Sequence, residues 1–348
     1  MDIVKNRLHS KTKPMALRLA ISMALIAVLV FALGGLLACT SGSASDVVVI
    51  ATNADAEAVE VMTAALTDAG FSGQFVFQEM GTAELGGRLM AEGTSIEADI
   101  ITLASFYLHS SQNRDDTFLP LDSSKTTLDE LPDYMTPILA ITGSIFVNTE
   151  LMEEDGLPMP TSIRDLADPV YAGNLAIADI NSSSTAWLLI QAILDNYSEE
   201  EAAEIIQGIY RNADAHVLPS GSGPIRSVRA GEVAVGFGLR HTAVNDYESG
   251  MPIDFIDPAE GNYKLIEALA VIDRGEDTNP LALEMAQHIL EGGRPKLQEH
   301  YPMQLFAGEE ITPIHEIANQ RTFPEPLTLE LLEQHQAIVD GIVRSAND

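Results

Sequence analysis

The chain has 348 residues, with 19 Lys and Arg against 51 Asp and Glu and a formal net charge of −32 at pH 7. Positive charge supplies the affinity for phosphate backbones and anionic lipid, so this balance excludes nucleic-acid binding and electrostatic docking on a membrane surface. The single cysteine excludes a disulfide framework, and a sizeable hydrophobic core must hold the fold.

Residues 1–38 stand apart. MDIVKNRLHSKTKPMALR carries five Lys/Arg and one acid, and LAISMALIAVLVFALGGLLA is apolar and uncharged. A charged head, an apolar stretch and a small residue before a cleavage point are the layout of an export signal. Leu36-Leu37-Ala38-Cys39 resembles a bacterial lipobox, which implies that Cys39 becomes the lipidated first residue of the mature chain. Residues 39–45 then form a short Ser/Gly-rich tether. The plain alternative is an uncleaved anchor, since about 20 apolar residues span a bilayer. Both readings put the folded part in the cell envelope, outside the cytoplasm, on a periplasmic or extracellular face. Without residues 1–38 the chain keeps 14 cations and 50 acids, a net charge of about −36. A protein this acidic that binds an anion must do so locally, with a few placed donors.

From residue 46 apolar β-rich runs alternate with helical patterns. DVVVIAT (46–52) is a strand and AEAVEVMTAALTDAG (56–70) a helix with Val59, Met62 and Leu66 on one face. QFVFQEM (74–80) is a strand, AELGGRLMAEG (83–93) a helix, ADIITLA (98–104) a strand, and ITGSIFVN (141–148) is extended. NLAIADI (174–180) is a strand before helices at 186–197 and 199–210. AHVLP (215–219) is a strand, PIRSVRAG (224–231) a short helix, VAVGFGL (233–239) a strand and PIDFIDP (252–258) extended. The remainder reads as mainly helical. This alternation predicts an α/β fold with mainly parallel sheets.

In open α/β sheets ligands sit beyond the carboxyl ends of the strands, where helix N-termini offer free N–H groups and a positive dipole end. Six junctions carry small polar or cationic residues there: Asn53 after the first strand, Thr82 after the second, Ser105 after the third, then Ser182-Ser183-Ser184-Thr185, Ser222 in SGSG, and Arg240-His241 after VGFGL. At any one of them the plain reading is an N-cap worth about 1 kcal/mol. Arg240 could equally neutralise a nearby acid, and His241 could be a hydrogen-bonded structural histidine. Trp187 reads as core, and Arg226 and Arg229 as solvent-facing.

The order NSSSTAW, helix, Ser/Gly turn, GEVAVGF resembles the extracellular solute-binding proteins of ABC importers, in the group that binds ferric iron, 2-aminoethylphosphonate or phosphorylated sugars. The likeness runs through GTAELGGRLMAEGTSIEADIITL (81–103), residues 145–185, AGEVAVGFGLRHTAV (230–244) and IDPAEGNYKLIEALAVIDRG (256–275), and covers essentially all of 46–330. It implies a two-lobed periplasmic-binding-protein fold, type II-like, with the ligand cleft between lobes. Residues 46–142 plus about 256–300 would form lobe 1, and 143–255 plus about 301–345 lobe 2. Strands would cross between them near Ile141–Ile145 and Ile253–Asp257. Ser144 joins the expected site at the first crossing.

Ferric members of that group ligate the metal with neighbouring tyrosines, which by motif order would fall close to Arg240-His241-Thr242. This chain has none there, and the departure favours an organic anion. Arginine forms bidentate, charge-assisted bonds to phosphonate, each about 1.5–3 kcal/mol. Glu79, Glu84 or Asp55 would receive an ammonium group.

The resemblance therefore implies a lipoprotein that hands a small anionic solute to a permease and ATPase, with an organophosphonate such as 2-aminoethylphosphonate as the best match. Ferric iron, a sugar phosphate or carboxylate, and a ligand-sensing lipoprotein are the alternatives. No cofactor, metal site or catalytic residue is expected, since no nucleophile elbow, phosphate-binding loop or metal-ligand spacing occurs. A monomer is expected, joined to the membrane through Cys39.

Overall fold

The structure, a computed structural model, describes residues 47–121 and 125–347. The export signal, the tether and Cys39 lie outside the described residues. In chain order the elements are β1 (Val48–Thr52), α1 (Ala56–Asp68), β2 (Phe75–Glu79), α2 (Thr82–Glu92), β3 (Ile100–Ala104), α3 (Ser105–Asp115), β4 (Thr136–Asn148), α4 (Thr149–Glu154) and β5 (Leu175–Ala178). Then follow α5 (Ser184–Asn196), α6 (Glu199–Ala213), β6 (Val217–Leu218), α7 (Gly223–Arg229), β7 (Val235–Leu239), α8 (Arg240–Glu248), β8 (Ile253–Ile256) and β9 (Asn262–Val271). The last are α9 (Pro280–His288), α10 (Arg294–His300), β10 (Gln320–Arg321) and α11 (Leu329–Asn347).

Local chemistry accounts for most of these boundaries. Asp55 caps α1 by accepting from the Ala58 N–H at 3.2 Å. The helix buries Ala58, Val61, Met62, Ala65 and Leu66, the i, i+3, i+4 stripe that a sheet-packing helix needs. A reciprocal capping box between Ser198 and Glu201 starts α6. α5 buries every residue from Ser184 to Ile193 and lies in the middle of the protein. Trp187 belongs to that core: its Nε1 donates to His335 Nδ1 at 2.8 Å.

The sheet runs β2-β1-β3-β9-β4-β7-β5-β6, with β8 on β4 and β10 on β9. β1 is parallel to β2 and β3, and β5 is parallel to β6 and β7, whereas β9 and β4 are antiparallel to their main partners. β4 changes partners midway: residues 136–142 pair with β9, and 143–148 with β7 and β8. One long strand therefore belongs to both halves of the sheet.

β9 corrects the expectation of mainly helical structure after residue 258. NYKLIEALAV holds two Leu, two Ala, one Glu and one Lys, which favour helices in isolation. Its position between β3 and β4 satisfies its backbone as a strand, and tertiary pairing overrides local propensity. Among the described residues no helix is long and apolar enough to cross a membrane.

Candidate functional site

A cavity of about 440 Å³ opens where these strands end. From one half of the sheet it is lined by Asn53 after β1, Glu79 to Thr82 from the end of β2 to the start of α2, and Glu84 on α2. From the other come Ser182 to Thr185 at the start of α5, and Ser220 to Ser222 before α7. Asn53 Nδ2 donates to Thr82 Oγ1 at 3.0 Å, which ties the first two junctions together. Ser183 caps α5, its Oγ accepting from the Thr185 N–H at 3.3 Å. Gly221 lies so close to this helix start that a Cβ there would sit 2.2 Å from Thr185 Oγ1. Glycine lets the SGSG backbone and the α5 hydroxyls share one wall.

Of the residues expected from sequence, the structure brings together Asn53, Thr82, Ser182, Ser183, Ser184, Thr185 and Ser222 in this cavity, with Asp55, Glu79 and Glu84 beside them. His241 lies in an adjoining chamber of about 460 Å³ with Arg226, Arg229 and His300; Asp55, Ser222, Leu239 and Tyr301 line both. Its ring packs 4.7 Å from that of Tyr301, and enclosure together with nearby His315 and His300 holds the imidazole neutral, well below its usual range. Arg226 and Arg229 line this chamber and remain exposed to solvent, as the sequence suggests.

Three expected residues stand elsewhere. Ser105 follows β3 without a loop and lines a separate cavity with Phe106, His109, Lys264 and Phe323. Ser144 is fully buried within β4, its Oγ unpartnered. Arg240 is outside the main cavity's lining. Its Nε and Nη2 donate to Asp257 at 2.6 and 2.9 Å, its Nη groups reach the Ile314 carbonyl, and it stacks over the Phe255 ring at 5.0 Å. The strand-end arginine is spent on the chain segment between β8 and β9. Asn262 completes that clasp by donating to Asp257 and to the Gly143 carbonyl.

Two residues of the cavity were missed in the sequence. Tyr301 donates to Asp55, which fixes that acid at the head of α1. Glu267 forms part of the lining from β9, in register with Ala104 of β3 and Leu139 of β4. Strand alternation sends Lys264 and Ile266 to the opposite face, where they line the second cavity. Glu267 is 6 % exposed, and burial pushes its carboxyl up to about 8, against the opposing pull of Asn53 and Ser184. No feature of the sequence marks it, because β9 itself was unread. The cavity thus has the hydroxyls of Ser182 to Thr185, Ser220 and Ser222 from one half of the sheet, Asn53 and Thr82 together with Asp55, Glu79 and Glu84 from the other, and no Lys or Arg among its described lining residues. No group of three or more His, Cys, Asp or Glu among the described residues is arranged to hold a metal ion.

Comparison with known proteins agrees with this architecture. Residues 109–281 match the family model described as bacterial extracellular solute-binding protein. An uncharacterized protein of Haemophilus influenzae (strain ATCC 51907 / DSM 11121 / KW20 / Rd) is 30% identical over 116 residues, 33% of each chain, so the match spans about a third of that relative's length. The periplasmic binding protein AfuA from Actinobacillus pleuropneumoniae, solved with fructose-6-phosphate, superposes with a TM-score of 0.65 at 18% identity, over 86% of this chain and 97% of that one. Iron-bound HitA from Pseudomonas aeruginosa gives 0.65 at 17% identity, over 86% and 99%. At such identities the likeness shows the fold and carries no ligand across. The fold is that of the two-lobed periplasmic binding proteins, and about half of the chain, residues 109–281, resembles the bacterial extracellular solute-binding family.

Proposed function

We propose that this protein captures a small solute carrying both an oxyanion and an ammonium group, and delivers it to an ABC importer from a lipid-anchored position outside the cytoplasm. An organophosphonate such as 2-aminoethylphosphonate fits best. The observation that carries this reading is the mixed lining of the main cavity: hydroxyl and amide donors and carboxyl groups share one space with no Lys or Arg among the described lining residues.

The oxyanion takes the donors of Thr82, Ser182 to Thr185 and Ser220 to Ser222. Arg226 supports them from behind, donating to Ser222 Oγ at 2.7 Å and Ser220 Oγ at 3.0 Å. A serine oxygen that already accepts from a guanidinium keeps its own proton to donate onward. The acids explain why a bare anion is a poor fit. A negative charge about 4 Å from a carboxylate costs about 4 kcal/mol at an effective dielectric of 20. A solute that brings its own cation to the acids of this cavity reverses that sign. Capture involves no bond making: the lobes close, the solute leaves water, and the closed face is read by the permease.

A thermal-shift panel on the purified protein tests this, with 2-aminoethylphosphonate, other phosphonates, sugar phosphates, inorganic phosphate and ferric citrate. A ligand at 100 times its dissociation constant stabilises the fold by about 2.7 kcal/mol. A response to ferric citrate with none to any phosphorus compound would overturn the reading.

A further inference from the structure

Glu267 is the buried acid of the main cavity, whereas Glu79 and Glu84 are exposed at its margin. It sits where β3, β9 and β4 meet, on the stretch of sheet that both halves share. Its Oε2 is buried and has no hydrogen-bond partner, and Glu267 is among the residues that line the cavity. A buried polar atom without a partner loses solvation and gains nothing in return, so a ligand that satisfies it recovers that loss.

The groups around it have one sign. Asp55 from α1, Glu79 from β2 and Glu84 from α2 share the cavity, with Tyr301 after α10. Asn53 and Ser184 are its neutral neighbours and pull its carboxyl toward ionisation, and Thr102, Ile138, Leu139 and Ile141 also line the cavity. Arg226, His241 and His300 lie in the adjoining chamber, beyond Asp55 and Tyr301. A second negative charge placed next to these acids is unfavourable, and a cation is the group that complements them.

We propose that Glu267 contacts the solute directly: the solute's ammonium group donates to the unpartnered Oε2, and the carboxyl gives up its proton to solvent as the complex forms. The charge balances, because a neutral carboxyl and a cation become a carboxylate–ammonium pair and one free proton. Burial, which holds the carboxyl neutral in the empty cleft, then works in favour of the pair once the cation replaces water. Solute capture becomes linked to pH. This inference rests on the zwitterionic-solute reading above and assigns the residue that selects the amine.

The test is calorimetric titration of the full chain in two buffers of different ionisation enthalpy, with 2-aminoethylphosphonate, ethylphosphonate, ethanolamine and β-alanine as probes. At pH 7 the wild type should release about one proton more than Glu267→Gln on binding 2-aminoethylphosphonate, and the difference should vanish by about pH 9. Glu267→Gln should weaken 2-aminoethylphosphonate by at least about tenfold and leave ethylphosphonate within about twofold. Equal proton counts, or equal affinity for the amine, overturn the inference. Binding of ethylphosphonate without any preference for the amine overturns it too, while leaving a phosphonate site standing. Glu267-dependent proton release with ethanolamine or β-alanine, and no response to phosphorus compounds, upholds it and overturns the organophosphonate reading. Silence from every probe overturns both. A ligand-free control is carbon-13 NMR of the glutamate carboxyls: an ionised Glu267 at pH 7 in the empty protein also overturns the inference.

Discussion

Replacing Arg240 by Met separates two roles that one arginine could have. Met keeps an unbranched apolar stem in a site that leaves the Arg240 side chain 4% exposed, and it removes the fork that holds Asp257. Breaking a buried ion pair from one side costs about 3–5 kcal/mol. Asp257 is 32% exposed and keeps its bond from Asn262, so the lower end applies, about 3 kcal/mol. With an unfolding entropy of about 2.1 cal/mol/K per residue, a fold of roughly 300 residues loses about 5 °C of melting temperature. Scanning calorimetry reads that shift. Isothermal titration with whichever solute the panel identifies should show affinity within about threefold of wild type, because Arg240 does not line the main cavity. Asp257→Asn should be worse for stability, since it strands a guanidinium with almost no access to water. A variant that melts like wild type and loses the solute tenfold or more would refute the structural role and restore Arg240 to the binding site.

Other outcomes follow from the same geometry. The folded Glu267 carboxyl, held up to about 8, binds its proton more tightly than the unfolded chain does. Its stabilising contribution is therefore complete below the ordinary glutamate range and is lost as pH rises through about 8, by a few kcal/mol in all. Melting curves from pH 5 to 9 should fall less steeply for Glu267→Gln, and a steeper fall would contradict the sign. Gly221→Ala drives a methyl into Thr185 and should cost about 1–3 kcal/mol and weaken solute binding by at least about tenfold, read by melting and titration. Trp187→Phe removes the donor to His335 and should cost about 1–3 kcal/mol in chemical denaturation without changing affinity, as befits a buried residue outside the cavity lining.

By itself the sequence determined the class of fold and several polar residues that line the main cavity. The periods of α1, α5 and α6 and the β-rich runs at β1, β2, β3, β5 and β7 are local signals, written in spacing and caps, and the structure keeps them within a few residues. Asn53, Thr82, Ser182 to Thr185 and Ser222 were legible because strand-to-helix junctions are sequence features and α/β topology turns many of them toward one rim. Tertiary structure alone decided the rest. β9 is a strand because β3 and β4 flank it, and only that pairing puts Glu267 into the cavity and Lys264 on the opposite face. Arg240 follows a strand as an anion-binding residue would, but Asp257 lies 17 positions later, and the turn of the chain between β8 and β9 brings the two together. Spacing along a strand or helix reports which residues share a face; which opposite charge a cation finds depends on how distant segments meet, and no local pattern carries that.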